Sequence, residues 1–201
     1  MGQGQQAGYR AGRTVTYRNV LRSPDHVLFT HGMIDASESY DGKNTGYERE
    51  LRPGTPMGQI TATKLWVPCR RTTTTTTGTV TSVVLTDSRA FKVGDTISIG
   101  SDTGITITAI DYDTDTITIA STTVASGEAV VVADGSQTCR CILNEHVNLY
   151  TPDRVLVDQS FGKGIIHGLV SSADILGDLT AIRANTNYLN GILWDDQQGQ
   201  L

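Results

Sequence analysis

The sequence predicts a mainly β protein. Threonine recurs throughout, and 21 of the 201 residues are glycine, a composition of many turns and of side chains suited to a pleated surface. From residue 78 onward, short β-branched runs alternate with Gly and Asp turn signals. Only one stretch, near the C-terminus, carries helical spacing. A hydrophobic content of 38% is low for one compact globule of this length, so more than one packed unit is expected.

Residues 1–24 hold Arg10, Arg13, Arg18 and Arg22 and no acid. They read as an extended arm rich in Gly and Gln, without periodicity, that orders on a partner by adding to a sheet edge. With Tyr9 and Tyr17 as the only aromatics, the arm gives little sign of nucleic-acid stacking. His26, Val27, Leu28 and Phe29 follow as a short apolar run, and residues 35–50 read as irregular chain. So much irregular chain fits a segment that lies on another protein, so 1–50 is assigned to the arm.

Residues 51–68 organise the remainder. Pro53 and Gly54 open a turn, and Gly58 follows. Ile60, Ala62, Lys64 and Trp66 then alternate with Thr61, Thr63, Leu65 and Val67, the pattern of one strand. Two close glycines before a strand indicate backbone packed against backbone, where a β-carbon would obstruct.

Six threonines at 72–77 read as a low-complexity connector. Strands are predicted at 79–85, 96–99, 105–110, 116–120 and 129–132, as a small barrel or sandwich. Residues 78–135 hold eight acids against Arg89 and Lys92, a balance that suits a solvent-facing, separable module. Further strands are predicted at 139–143, 155–157 and 164–170. A helix is predicted over 173–190, capped by Ser171 or Ser172 and interrupted by Gly177, with Trp194 as a packing anchor before a polar tail.

The chemistry-bearing residues read as structural. Cys139 and Cys141 are expected to share a strand face and, with Cys69, to be buried small hydrophobes. A Cys69–Cys139 disulfide and weak calcium binding at Asp111, Asp113 and Asp115 are minority readings, the latter because the Gly and distal Glu of a calcium loop are missing. Four scattered histidines stand in no nucleophile or metal motif. No catalytic residue, metal or cofactor is predicted. No apolar run reaches the roughly 20 residues that span a bilayer, and residues 1–13 lack the apolar region of a secretory signal.

Gly54-Thr55, Met57-Gly58 and Ile60-Thr61 also resemble a known pattern. This is the Gly-Thr-apolar-apolar-Gly-x-Ile-Thr strand of lambda-type phage head decoration, or capsid cement, proteins, with Pro56 at the first apolar position. In that family a Gly-Ile-Leu strand and an apolar strand follow. Here Cys141-Ile142-Leu143 and residues 155–170 stand in those places. The resemblance covers about residues 51–70 and 138–190. It implies a small β-tadpole-like core (51–70 and 138–192) with a C-terminal helix. The extended arm (1–50), an inserted β domain (71–137) and a polar tail (193–201) complete it. The implied function is structural: a virion protein made in the host cytoplasm that binds the outer surface of the capsid and stabilises the expanded, DNA-filled head. Its partner is the major capsid protein and it forms homo-oligomers, most readily trimers, with no direct nucleic-acid or membrane binding. Capsid contacts are assigned to Arg10, Arg13, Arg18, Arg22, His26, Val27, Leu28 and Phe29. The core turn and strand are assigned to Gly54, Thr55, Gly58, Ile60 and Trp66. A virion adhesion or glycan-binding module, or a tail or baseplate protein, is the alternative.

Overall fold

A computed structural model describes residues 20–184 and 191–196. It is mainly β, with 47% strand and 5% helix. Four strands precede the insert: β1 (Leu28–Ile34), β2 (Glu50–Leu51), β3 (Pro56–Gln59) and β4 (Trp66–Pro68). The next seven are β5 (Arg71–Thr73), β6 (Gly78–Val84), β7 (Thr96–Ile99), β8 (Asp102–Thr106), β9 (Ala109–Asp111), β10 (Thr116–Val124) and β11 (Ala129–Val131). After them come β12 (Cys139–Leu143), β13 (Val147–Asn148), β14 (Gln159–Ser171), the helix α1 (Leu179–Arg183) and β15 (Gly191–Asp195).

The main sheet runs β1-β4-β3-β12-β14-β15, and β1 also pairs with β14, so five strands close on themselves. The 13-residue β14 ties the sheet together. It pairs antiparallel with β1 and β12 and parallel with β15. Met57, Trp66, Cys141, Leu143 and Phe161 fill one core cluster. Cys69, Cys139, Ile142 and Ile165 fill a second, together with Ile182 of α1. The insert has its own core of Val83, Phe91, Ile97, Ile117 and Val130. It is enclosed by a β6-β10-β9 sheet and a β5-β11-β7-β8 sheet. The inside-outside alternation on β10, with Ile117 and Ile119 buried and Thr118 exposed, is the period-2 signal that made these strands readable.

Several expectations are corrected. Residues 28–50 are part of the fold, not an arm: β1 lies in the main sheet, and Ala36, Ser39, Asp41, Asn44 and Glu50 are buried against this same chain. Residues 1–19 lie outside the described residues. The single strand expected at 60–67 is a hairpin, β3 and β4, turning at 61–64. Lys64 takes φ +63 there, and its N–H donates to the Ile60 carbonyl. The threonine connector is ordered. Thr72 sits in β5, Thr74 bridges to Leu85, and both are buried.

The run at 105–110 splits into β8 and β9 because Ile107 turns into the insert core. At 155–157 only Leu156 forms a bridge, to Tyr150. The helix is short. A 3-10 turn at Ser172–Asp174 ends at Ile175, Gly177 takes φ +127, and α1 starts only after Asp178, whose carboxylate accepts from the Ala181 N–H. A backbone at that φ cannot continue a right-handed helix, so the apolar spacing across it misled. Residues 185–190 of the expected helix lie outside the described residues. The tail is corrected as well: 193–195 belong to β15, and Trp194 packs partly buried against the second cluster.

Candidate functional site

The most exposed apolar row of the main sheet lies on β1. Leu28 is 58% exposed, and Phe29 and Met33 are each 45% exposed. Phe29, His31 and Met33 follow the two-residue period of a strand and point outward together. On one side β1 pairs with β14. On the other it meets β4 only at Ile34, so its second edge from Leu28 to Met33 is unpaired among the described residues. Such an edge with apolar side chains is a template for another chain. Beneath it, Gly32 leaves room for the Trp66 indole, which meets Phe161 edge-on at 5.4 Å.

The predicted contact residues divide. Leu28 and Phe29 are both exposed, and Met33 lies on the Phe29 row, missed although its spacing from Phe29 carried the signal. Val27 faces the second core cluster instead. Arg22 is engaged within the chain: it donates to Ser171 Oγ at 2.9 Å and pairs with Asp195 at 3.4 Å. His26, at φ +57, offers its carbonyl to His167 Nδ1 at 2.7 Å. Arg10, Arg13 and Arg18 lie outside the described residues.

Gly54, Thr55, Gly58, Ile60 and Trp66 are buried. The Gly54 N–H donates to Leu143, and the Leu176 N–H donates to Gly54, so this turn links β12 to the C-terminal segment. Gly54 takes φ +93, and a β-carbon there would fall on the Asp174 carbonyl oxygen. At Gly58 it would fall on the Ser136 carbonyl oxygen. Both positions therefore need glycine.

Half of the insert's eight acids, Asp87, Asp95, Asp115 and Asp134, sit at its junction with the host, while Asp102, Asp111 and Asp113 are exposed. Arg70, only 3% exposed in its side chain, meets Glu38 at 3.1 Å, Asp95 at 3.6 Å and Asp134, and donates to Ser136 Oγ. Lys92 crosses back to Glu38 at 2.9 Å. Lys43 reaches from the host to Asp115 at 2.7 Å, and the Gly42 N–H donates to the Arg89 carbonyl. Tyr40 packs on Tyr112 with ring centres 5.8 Å apart. This joint escaped sequence reading, because its partners are far apart in the chain and each looks like a surface charge.

Burial pushes the Asp95 carboxyl above the usual aspartate range, against the pull of the Lys92 N–H and of Arg70. Stability linked to a raised carboxyl is fully present below the unfolded pKa and is lost as pH rises through the folded value. Asp95→Asn, which cannot ionise, is therefore expected to gain on the wild type between about pH 4 and pH 7. Denaturant unfolding of both proteins at the two pH values checks this, and a pH-independent difference contradicts it.

Cys69, Cys139 and Cys141 are free and buried. Cys139 and Cys141 do not share a face as expected. A bulge between them sends Cys139 to one core cluster and Cys141 to the other. Burial raises both thiols. Asp111 accepts from the Asp113 and Thr114 N–H groups in a turn, whereas Asp115 is bonded to Lys43 and Ser88. Among the described residues, no group of three or more His, Cys, Asp or Glu side chains is placed to hold a metal, and no helix is long and apolar enough to cross a membrane. No known family, curated protein or solved structure matches the chain.

Proposed function

We propose that this chain is a phage capsid decoration protein that binds the outer capsid surface and reinforces the shell. The observation that carries this reading is the exposed apolar side chains Leu28, Phe29 and Met33 on a β1 edge that, from Leu28 to Met33, is unpaired among the described residues. The resemblance of residues 54–61 to the decoration-protein strand supplies the class of partner. A protein of this kind contributes binding free energy across shell subunits. What binds the intact shell but not the disrupted one stabilises it by mass action, and many copies act together.

The test is co-sedimentation with expanded heads stripped of accessory proteins. The wild type is expected to bind heads and not tails. Phe29→Asp combined with Met33→Asp is expected to reduce head binding at least tenfold while leaving the melting temperature of the free protein unchanged, because both side chains are already exposed. Binding to tails alone, or undiminished head binding by the double variant, overturns the reading.

A further inference from the structure

A small cavity lies where the host, the insert and α1 meet. Asp41, Arg71, Arg89, Phe91, Gly177 and Ile182 are among the residues that line it, and its volume is about 20 Å³. Three buried polar atoms on its lining residues make no hydrogen bond among the described residues: Asp41 Oδ1, Arg71 Nε and Arg89 Nη1. The rest of each group is placed. Asp41 Oδ2 accepts from Arg52 Nη2 at 2.6 Å, and the Asp41 side chain is only 3% exposed. Arg89 Nε donates to Asp87. Arg71 belongs to β5, where its backbone is paired with Val131.

We propose that this cavity is a binding site for a single ordered water, which joins host and insert. The volume admits a water, since one water needs about 10–15 Å³ of such space. The chemistry of the unpaired atoms selects water over an ion. They are one anionic acceptor and two cationic donors. A water oxygen accepts from both guanidinium N–H groups, and one of its O–H bonds donates to Asp41 Oδ1. A halide beside Arg71 and Arg89 would face the Asp41 carboxylate, and a metal cation beside Asp41 would face two guanidinium groups. Buried polar atoms left unpaired are costly, so a molecule that satisfies all three fixes the relative placement of Asp41, Arg71 and Arg89.

A crystal structure of the full chain, with a second crystal soaked in sodium bromide, tests this directly. The expected result is one well-ordered peak within hydrogen-bond distance of Asp41 Oδ1 and of at least one of the two arginine nitrogens, with no anomalous bromide signal. A dry cavity overturns the proposal, and so does a bromide peak, which would make it an anion site. In solution, ¹⁷O relaxation dispersion counts long-lived internal waters, and Arg71→Met is expected to show one fewer than the wild type. Equal counts also overturn it. The crystallographic arm needs no variant, so poor folding of Arg71→Met leaves the proposal fully exposed to refutation.

Discussion

Arg70→Met is expected to lower the unfolding free energy by about 3–5 kcal/mol, the range for breaking a buried ionic cluster by removing one member. The guanidinium is 3% exposed and holds Glu38, Asp95, Asp134 and Ser136 at once. Without it, three carboxylates face one another with Lys92 as the nearest compensating charge. The loss should not be uniform. Amide hydrogen exchange is expected to rise together in residues 35–42, around Asp95 and around Asp134, while the β12–β14 pairing keeps its protection. Arg70→Lys should recover only part of the loss. One ammonium lacks the planar fork that reaches several partners. A methionine variant within about 1 kcal/mol of the wild type would show that the cluster contributes nothing net, as some buried ion pairs do.

Gly58→Val is the second large effect expected. Gly58 is paired with Cys139 on one side and Val67 on the other. A β-carbon there meets the backbone of Ser136, not a flexible side-chain tip. Backbone held by a sheet yields poorly, so the cost should reach the top of the roughly 1–3 kcal/mol range for overpacking, or exceed it. Gly162→Ala is the control, since a β-carbon at Gly162 has open space and no positive φ to strain it. Thermal melts of the two variants should separate clearly, with Gly162→Ala close to the wild type. Coincident melts would mean that the chain between β11 and β12 moves aside freely.

Much of the insert was legible because its strands obey one simple rule. In β7 and the first half of β10 every second residue faces a common core, and Asp and Gly turns separate the runs. The main sheet was less legible. Thr61 to Lys64 continue an alternating pattern through what is a turn, closed by the positive φ at Lys64 and its N–H bond to the Ile60 carbonyl. The run at 26–30 reads equally well as a docking segment or a strand, since β1 buries only Ile34 fully. Residues 35–50 are fixed by polar contacts such as Arg49 to the Ala36 and Ser39 carbonyls, which leave no periodic trace. At the candidate site, Leu28 and Phe29 could be picked out by their apolar character. Whether Val27 turned inward or outward depended on its position beside β14 and the second core cluster, and nothing in local sequence specified that.

The insert leaves and rejoins the host through neighbouring antiparallel strands, with Arg71 opposite Val131 and Thr73 opposite Ala129. Its two ends are thus one strand spacing apart, about 4.8 Å. This is the geometry of a splice point. A foreign domain with adjacent termini can be joined there without stretching β4 or β12, and the host can carry it as cargo. However, Glu38, Lys43 and Tyr40 form a socket cut for this particular passenger. A replacement domain would leave those groups without their partners, so a successful exchange has to recast residues 38–43 together with the cargo.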